Sequence, residues 1–251
     1  PGGSAISLSE GNLREEYSVS RLRSDSGATI DLSLTYNSYR RVRLNTGLGD
    51  RWTHSYNIIL FRQRRDMFRM DGVGRITRYA QQPDQTFAAA PGYFETLTGN
   101  PDGTFTLRQK DGTVFTFETI PNTRWRVKSQ QYRLTRIVDR NGNTTTIDFT
   151  NGELTRITDT YGRGLTLTYN DRHQLAAITD PLGRTTTLTY AARQLRTITD
   201  PDGKLTEYTY GSGSHIVKKL DKDGRTFSYV YDRRVPVAID DGASSRLFGL
   251  T

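Results

Sequence analysis

The chain has 251 residues, with 35 Lys+Arg against 27 Asp+Glu, 3 His and no Cys, giving a formal net charge of +8. Without cysteine there is no disulfide framework, no thiolate nucleophile and no Cys-ligated metal, and without an 18-residue apolar run there is no membrane-spanning helix. Most basic residues are Arg standing within three residues of an Asp or Glu, and lysine-rich runs are missing. That pattern favours solvated strand faces over a specific nucleic-acid footprint, the densest groups being Arg62, Arg64, Arg65 and Arg69, then Arg40, Arg41 and Arg43.

Pro1 to Ser4 lack the charged and apolar regions of a signal peptide, so the expectation is a removed signal or a piece of a longer chain. Through residue 130, alternating β-branched and aromatic residues predict strands at Ala5–Ser9, Glu16–Leu22, Ile30–Tyr36, His54–Arg62, Met67–Met70, Ile76–Tyr79, Phe94–Thr98, Phe105–Gln109 and Val114–Glu118. Asp71-Gly72, Asp102-Gly103 and Asp111-Gly112 predict turns between them. Gln81 to Gly92, with Pro83, Pro91 and an Ala triplet, reads as an extended loop. No segment carries a helical period.

From residue 134 the chain repeats itself. Segments starting at Leu134, Leu154, Leu175, Leu195 and Ile216 are spaced 20, 21, 20 and 21 residues apart. In phase with them recur Asp139, Asp159, Asp180, Asp200 and Asp221; Gly142, Gly162, Gly183, Gly203 and Gly224; and Phe149, Tyr169, Tyr190, Tyr210 and Tyr231. Each unit reads as a β-hairpin: a β-branched first half, an Asp-x-x-Gly turn, then Thr alternating with larger residues. The Asp is expected to accept backbone hydrogen bonds two residues on, and the Gly to supply positive φ. The division that follows is a non-repetitive β-rich leader over 1–130 and hairpin repeats over 131–251.

One hairpin cannot bury its own apolar face, so the units must stack edge to edge. Five units make about ten strands, a continuous sheet roughly 48 Å across that twists and curves. Leu165, Leu167 and Tyr169 define an apolar face against Thr166 and Thr168, and Leu205 is placed on that face against Lys204 and Thr206. The repeated tyrosines are expected to form a ladder between neighbouring hairpins. The strand near Phe227 to Tyr231 is expected to end the sheet with an unpaired edge, inviting self-association.

Catalytic constellations fare poorly. His54, Ser55 and Asp50 offer the residue types of a triad, but adjacent strand residues face opposite ways. His54, His173 and His215 lack metal-ligand spacing, and Gly72-Val73-Gly74 and Gly211-Ser212-Gly213 lack the strand-loop-helix setting of a phosphate cradle. The reading is therefore a chain with no catalytic residue, no metal and no cofactor.

The columns ITDPxGR…TYxY, at Ile178–Tyr190 and Ile198–Tyr210, resemble the Rhs/YD-repeat family. The leader is also similar to the amino-terminal region of such proteins, through Gly11-Asn12-Leu13, Leu34-Thr35-Tyr36-Asn37-Ser38, Gly47-Leu48-Gly49, Trp52-Thr53-His54-Ser55-Tyr56 and Asn100-Pro101-Asp102-Gly103-Thr104. The resemblance implies an all-β fold of consecutive antiparallel hairpins, the YD repeats, spiralling into part of a hollow shell. It implies as partners further YD repeats and a carboxy-terminal toxin domain of the same polyprotein, and a secreted or cell-surface location reached by bacterial effector export. Some family members cut themselves at an Asp-Pro-x-Gly followed by a hydrophobic residue; here Asp180-Pro181-Leu182-Gly183 is followed by Arg184, so no protease role transfers. The other functional reading is an exported adhesion or carbohydrate-binding β-module, through exposed tyrosine faces.

Overall fold

The computed structural model describes residues 4–7, 12–23, 27, 29–39, 46–84, 86–121, 130–232, 235–240 and 245–247. Among these residues the chain is all β apart from one short 3-10 turn at Ser212–Ser214. The predicted basic group Arg40, Arg41 and Arg43 lies outside the described residues.

Four strands, β1 (Ser4–Ser7), β2 (Asn12–Arg23), β3 (Thr29–Asn37) and β4 (Trp52–His54), form one sheet in that order. Eight more follow in a second sheet: β5 (Ile59–Gln63), β6 (Asp66–Met70), β7 (Ile76–Gln81), β8 (Phe87–Ala89), β9 (Thr96–Gly99), β10 (Phe105–Arg108), β11 (Val114–Thr119) and β12 (Gln131–Val138). Each pairs antiparallel with the next. The ring closes where β12 returns to β5, with Gln131 opposite Phe61, Tyr132 opposite Leu60 and Arg133 opposite Ile59. An eight-stranded ring encloses little more than its own side chains, and buried Leu60, Met67, Tyr79, Leu97, Leu107 and Phe117 fill it.

The repeats supply β13 (Thr144–Thr150), β14 (Glu153–Thr158), β15 (Gly164–Tyr169), β16 (Leu175–Thr179), β17 (Thr185–Ala191), β18 (Gln194–Thr199), β19 (Leu205–Tyr210), β20 (Ile216–Leu220), β21 (Thr226–Asp232), β22 (Val235–Asp240) and β23 (Ser245–Leu247). They pair in chain order, hairpin after hairpin. The described chain divides into two compact units. One holds residues 20–32 and 55–166; the other holds 1–19, 33–54 and 167–251.

The repeat strands depart from strict alternation in one regular way. Phe149 opposes Leu154 while Asp148 opposes Arg156, leaving Thr155 extra. The same shift leaves Arg196 extra between β17 and β18, Val217 between β19 and β20, and Val237 between β21 and β22. An extra residue bends the strand and turns the following side chains over. Leu154 and Ile157, three apart, are therefore both buried, as are Leu195 with Ile198.

Several expectations are corrected. His54–Arg62 is not one strand: β4 ends at His54, and β5 begins at Ile59 after a turn. Within the loop predicted at Gln81 to Gly92 lies β8, opposite Gln81 of β7. The Asp71-Gly72 turn is a longer Asp71-Gly72-Val73-Gly74 turn in which Gly74, not Gly72, takes φ +89°. Gly72 is glycine for contact, since a Cβ there would stand 2.3 Å from the Ser55 carbonyl oxygen. Leu205 is exposed and Thr206 is buried, because Thr206 and Tyr208 occupy the inward positions of β19, as Thr186 and Leu188 do in β17. The expected open edge at Phe227 to Tyr231 is paired: β21 lies between β20 and β22, with Tyr229 opposite Ile239. The observation that motivated self-association through that strand is thereby removed.

Candidate functional site

Each repeat turn is built on its Asp. The Asp180 Oδ1 atom accepts from the Leu182 and Arg184 backbone N–H groups at 2.9 and 3.0 Å, and Oδ2 accepts from Arg184 Nε at 2.7 Å. Asp139, Asp159, Asp200 and Asp221 accept from the N–H groups two and four residues on in the same way. Gly142, Gly162, Gly183, Gly203 and Gly224 close these turns at φ of +80 to +83°. This is the three-residue hairpin loop, a type I turn followed by a left-handed residue. Asp71 makes the same contacts in the leader, and Asn170 makes them between two repeats. The Asn143 amide and two N–H groups hold Asp139 below the ordinary carboxylate range. For Asp180 and Asp221 burial pushes the other way, but the backbone N–H groups and the Arg184 and Arg225 guanidinia outweigh it, and both are lowered.

In the last three repeats the aromatic column fastens each hairpin to its own beginning. Tyr190, Tyr210 and Tyr231 donate their hydroxyls to the carbonyls of Leu175, Leu195 and Ile216 at 2.7, 2.7 and 2.8 Å. Those residues open the respective repeats, so the bulge and the tyrosine act together: one turns the strand, the other ties the turned end. Burial raises all three hydroxyl pKa values far above the ordinary tyrosine value. Tyr169 lies where a Cβ on Gly47 would come within 2.7 Å of its Cε1. Phe149, in the other unit, lies 4.1 Å beneath the Arg133 guanidinium.

Leader residues lock onto this column within one unit. Gly49 bridges to Gln194, and a Cβ on Gly49 would lie 2.2 Å from the Arg193 carbonyl oxygen. The Gly47 carbonyl accepts from the Leu175 N–H at 2.8 Å. Trp52, fully buried, donates Nε1–H to the Tyr210 hydroxyl at 2.8 Å and packs edge-on against Tyr208 at 5.0 Å. The Tyr36 hydroxyl donates to the Ser214 carbonyl and accepts from the Ile216 N–H.

The most deeply buried charges also join leader to repeat. Lys219 stands where the other four repeats carry Ile137, Ile157, Ile178 and Ile198. Its Nζ lies 2.8 Å from Glu15 Oε2, with Glu15 at 0% and Lys219 at 7% exposure. The Tyr229 hydroxyl donates to the other Glu15 oxygen. A buried ion is tolerated when paired and hydrogen-bonded, and both conditions are met here.

The residue types of a triad are not brought together. Asp50 accepts from Ser214 Oγ, whereas Ser55 donates to the Asp31 carbonyl. His173 sits at φ +59° in the Asn170 turn between two repeats, and the His215 ring packs 4.8 Å from Tyr231. Among the described residues no group of three His, Asp or Glu is placed to hold a metal ion, and no helix is long and apolar enough to cross a membrane. Sequence reasoning missed Glu15, Trp52 and Lys219 as partners. The signal for Lys219 was present: a lysine in an otherwise apolar column.

Two overlapping stretches, residues 148–185 and 169–205, match the RHS Repeat family. No curated protein matches the chain. Among solved structures, the TcdB2-TccC3 crystal structure aligns with a TM-score of 0.48 at 11% identity over 98% of this chain and 16% of that one. The TcdB2-TccC3-Cdc42 crystal structure gives 0.37 at 14% over 91% and 14%. The Photorhabdus luminescens Tc holotoxin pore gives 0.35 at 16% over 91% and 14%. The chain thus spans about one sixth or less of the length of these solved chains.

Proposed function

We propose that this chain, whose residues 148–205 are RHS repeats, is a non-catalytic wall segment of an Rhs-type β-shell that encloses a carboxy-terminal toxin or effector of the same polypeptide. The leader, residues 1–130, starts the wall, and the repeats, residues 131–251, extend it. The observation that carries the reading is the bulged hairpin unit. Each repeat turns on an Asp-x-x-Gly, the last three are tied by their tyrosines, and outer strands meet the following strand through a bulged pairing. Such a unit propagates indefinitely at one geometry, as a wall requires. Its two faces differ: Leu165 and Leu167 are buried while Thr166 and Thr168 are exposed, which suits a partition between two environments.

In this role the repeated Asp, Gly and aromatic residues are structural, and the protein needs no cofactor. Further YD repeats and the enclosed domain are its partners, and the route is bacterial export. The test is limited proteolysis of the polypeptide extended through its downstream reading frame. The carboxy-terminal domain should resist digestion while joined to the repeats and be cut quickly when made alone. Equal cleavage in both forms would remove the enclosing role.

A further inference from the structure

Two Asn-Gly pairs, Asn141-Gly142 and Asn151-Gly152, stand at the surface of the same unit, and all four residues are exposed. Their hydrogen bonding differs. Gly142 closes the Asp139 turn and donates its N–H to the Asp139 carbonyl at 3.0 Å, while Asp139 Oδ1 holds the Asn141 and Asn143 N–H groups at 2.8 and 2.9 Å. Asn151 and Gly152 instead form the two-residue loop between β13 and β14, at φ of +54 and +88°. Two successive left-handed residues make the type I′ loop that Asn-Gly favours. Among the described residues nothing accepts from the Gly152 N–H, and the Asn151 carboxamide makes no hydrogen bond. Asn170, in the next loop along, is engaged: its Oδ1 accepts from the Arg172 and Gln174 N–H groups, and its Nδ2 donates to Gln174 Oε1.

We propose that Asn151 is a site of self-modification, converting through a cyclic imide with Gly152 into isoaspartate and aspartate, while Asn141 stays intact. The proposal concerns this loop alone and does not rest on the shell reading. The Gly152 N–H gives its proton to hydroxide, and the nitrogen attacks Asn151 Cγ. The N–Cγ bond forms, the Cγ–Nδ2 bond breaks, and Nδ2 leaves as ammonia. Water then reopens the ring, at the side-chain carbonyl to give aspartate or at the main-chain carbonyl to give isoaspartate. Glycine leaves the attacking nitrogen accessible, since no Cβ stands beside it. Ring closure requires the Asn151 ψ to swing out of the turn, and that motion breaks no bond of the Gly152 N–H or of the Asn151 carboxamide. At Asn141 the same motion must first release the Gly142 N–H and the bonds to Asp139 Oδ1, and each bond lowers the open population severalfold. Isoaspartate adds a methylene to the main chain of the loop that sets Thr150 opposite Glu153 and Phe149 opposite Leu154, and either product places a new carboxylate next to Glu153. The modification therefore acts on the bulged β13–β14 pairing.

The test incubates the 251-residue chain in mildly alkaline buffer until half of Asn151 in a urea-unfolded sample of the same chain has converted. A single tryptic peptide, Asn141 to Arg156, carries both sites, and electron-transfer fragmentation assigns each and separates isoaspartate from aspartate. The unfolded sample should convert both asparagines at rates within about twofold of each other, because the turn bonds are gone; the folded chain should convert Asn151 at least about tenfold faster than Asn141. Isoaspartyl methyltransferase with a labelled methyl donor should mark the incubated folded chain. Asn151→Gly, which keeps the left-handed loop, should lose most of that label. Equal conversion of the two asparagines in the folded chain would overturn the proposal. So would an intact Asn151 in the folded chain at the end of the incubation, or a methyl label undiminished in Asn151→Gly.

Discussion

Glu15 and Lys219, 204 positions apart, form a buried ion pair at 2.8 Å. It joins the inward row of β2 to the one repeat whose isoleucine column carries a charge. The pair is a registration device, because a leader strand presenting Glu15 to any other repeat would face Ile137, Ile157, Ile178 or Ile198.

Lys219→Ile restores the column but leaves the buried Glu15 carboxylate, still accepting from the Tyr229 hydroxyl, without its counter-ion. Removing one partner of a buried pair costs about 3–5 kcal/mol, so this variant should lose that much in urea unfolding. Adding Glu15→Leu should recover most of the loss. A single variant as stable as the parent would show that the pair does not hold the leader.

Gly183 and Gly49 both have positive φ, at +80 and +85°, but a Cβ at Gly183 meets nothing within 4 Å. Gly183→Val should therefore cost only left-handed strain, roughly 1–2 kcal/mol. Gly49→Ala adds a collision with the Arg193 carbonyl and should lower the melting temperature further. Leu182, 79% exposed at the same turn as Gly183, should accept Ser without change. Equal melting temperatures for the two glycine variants would contradict the close approach of leader to repeat.

The lowered pKa values of Asp139, Asp180 and Asp221 make the repeats acid-sensitive. The unfolded carboxyl titrates near about 3.9, so the contribution is complete above that pH and is lost as pH falls through the folded values. Asn170 already accepts the same two N–H bonds natively. Asp180→Asn should therefore keep the turn and reduce the loss of stability between about pH 4 and pH 2. An unchanged acid profile would refute the turn electrostatics.

At the alkaline end the sign reverses in origin. Burial raises Tyr17, Tyr36 and Tyr56 to about 12, so the folded state keeps a proton that the unfolded chain releases near about pH 10. Stability should be insensitive to these groups below that pH. Above it, stability should fall by up to about 1.4 kcal/mol per pH unit for each such tyrosine. Circular dichroism against pH should show sheet loss accompanying tyrosinate formation; a stability that holds through about pH 11.5 would contradict the burial.

The repeat strands were legible because Asp, Gly and aromatic columns recur in phase, and each has a local cause. The bulge was less so. Leu and Ile three apart, as in Leu154 and Ile157, fall on opposite faces under a period of two, and only an inserted residue reconciles them. Leu205 was misplaced for the related reason that a threonine, Thr206, holds an inward position. The Glu15–Lys219 pair and the closure of β5 on β12 depend on contacts distant in sequence. No local pattern encodes them, although a lysine in an isoleucine column is a mark that such a partner exists.

The central claim is most directly tested by electron cryomicroscopy of the polypeptide extended through its downstream reading frame. The account predicts that bulged hairpins with the geometry of residues 134–231 continue around a closed wall, with the carboxy-terminal domain as density inside it. An open sheet, or a carboxy-terminal domain lying outside the wall, would contradict it.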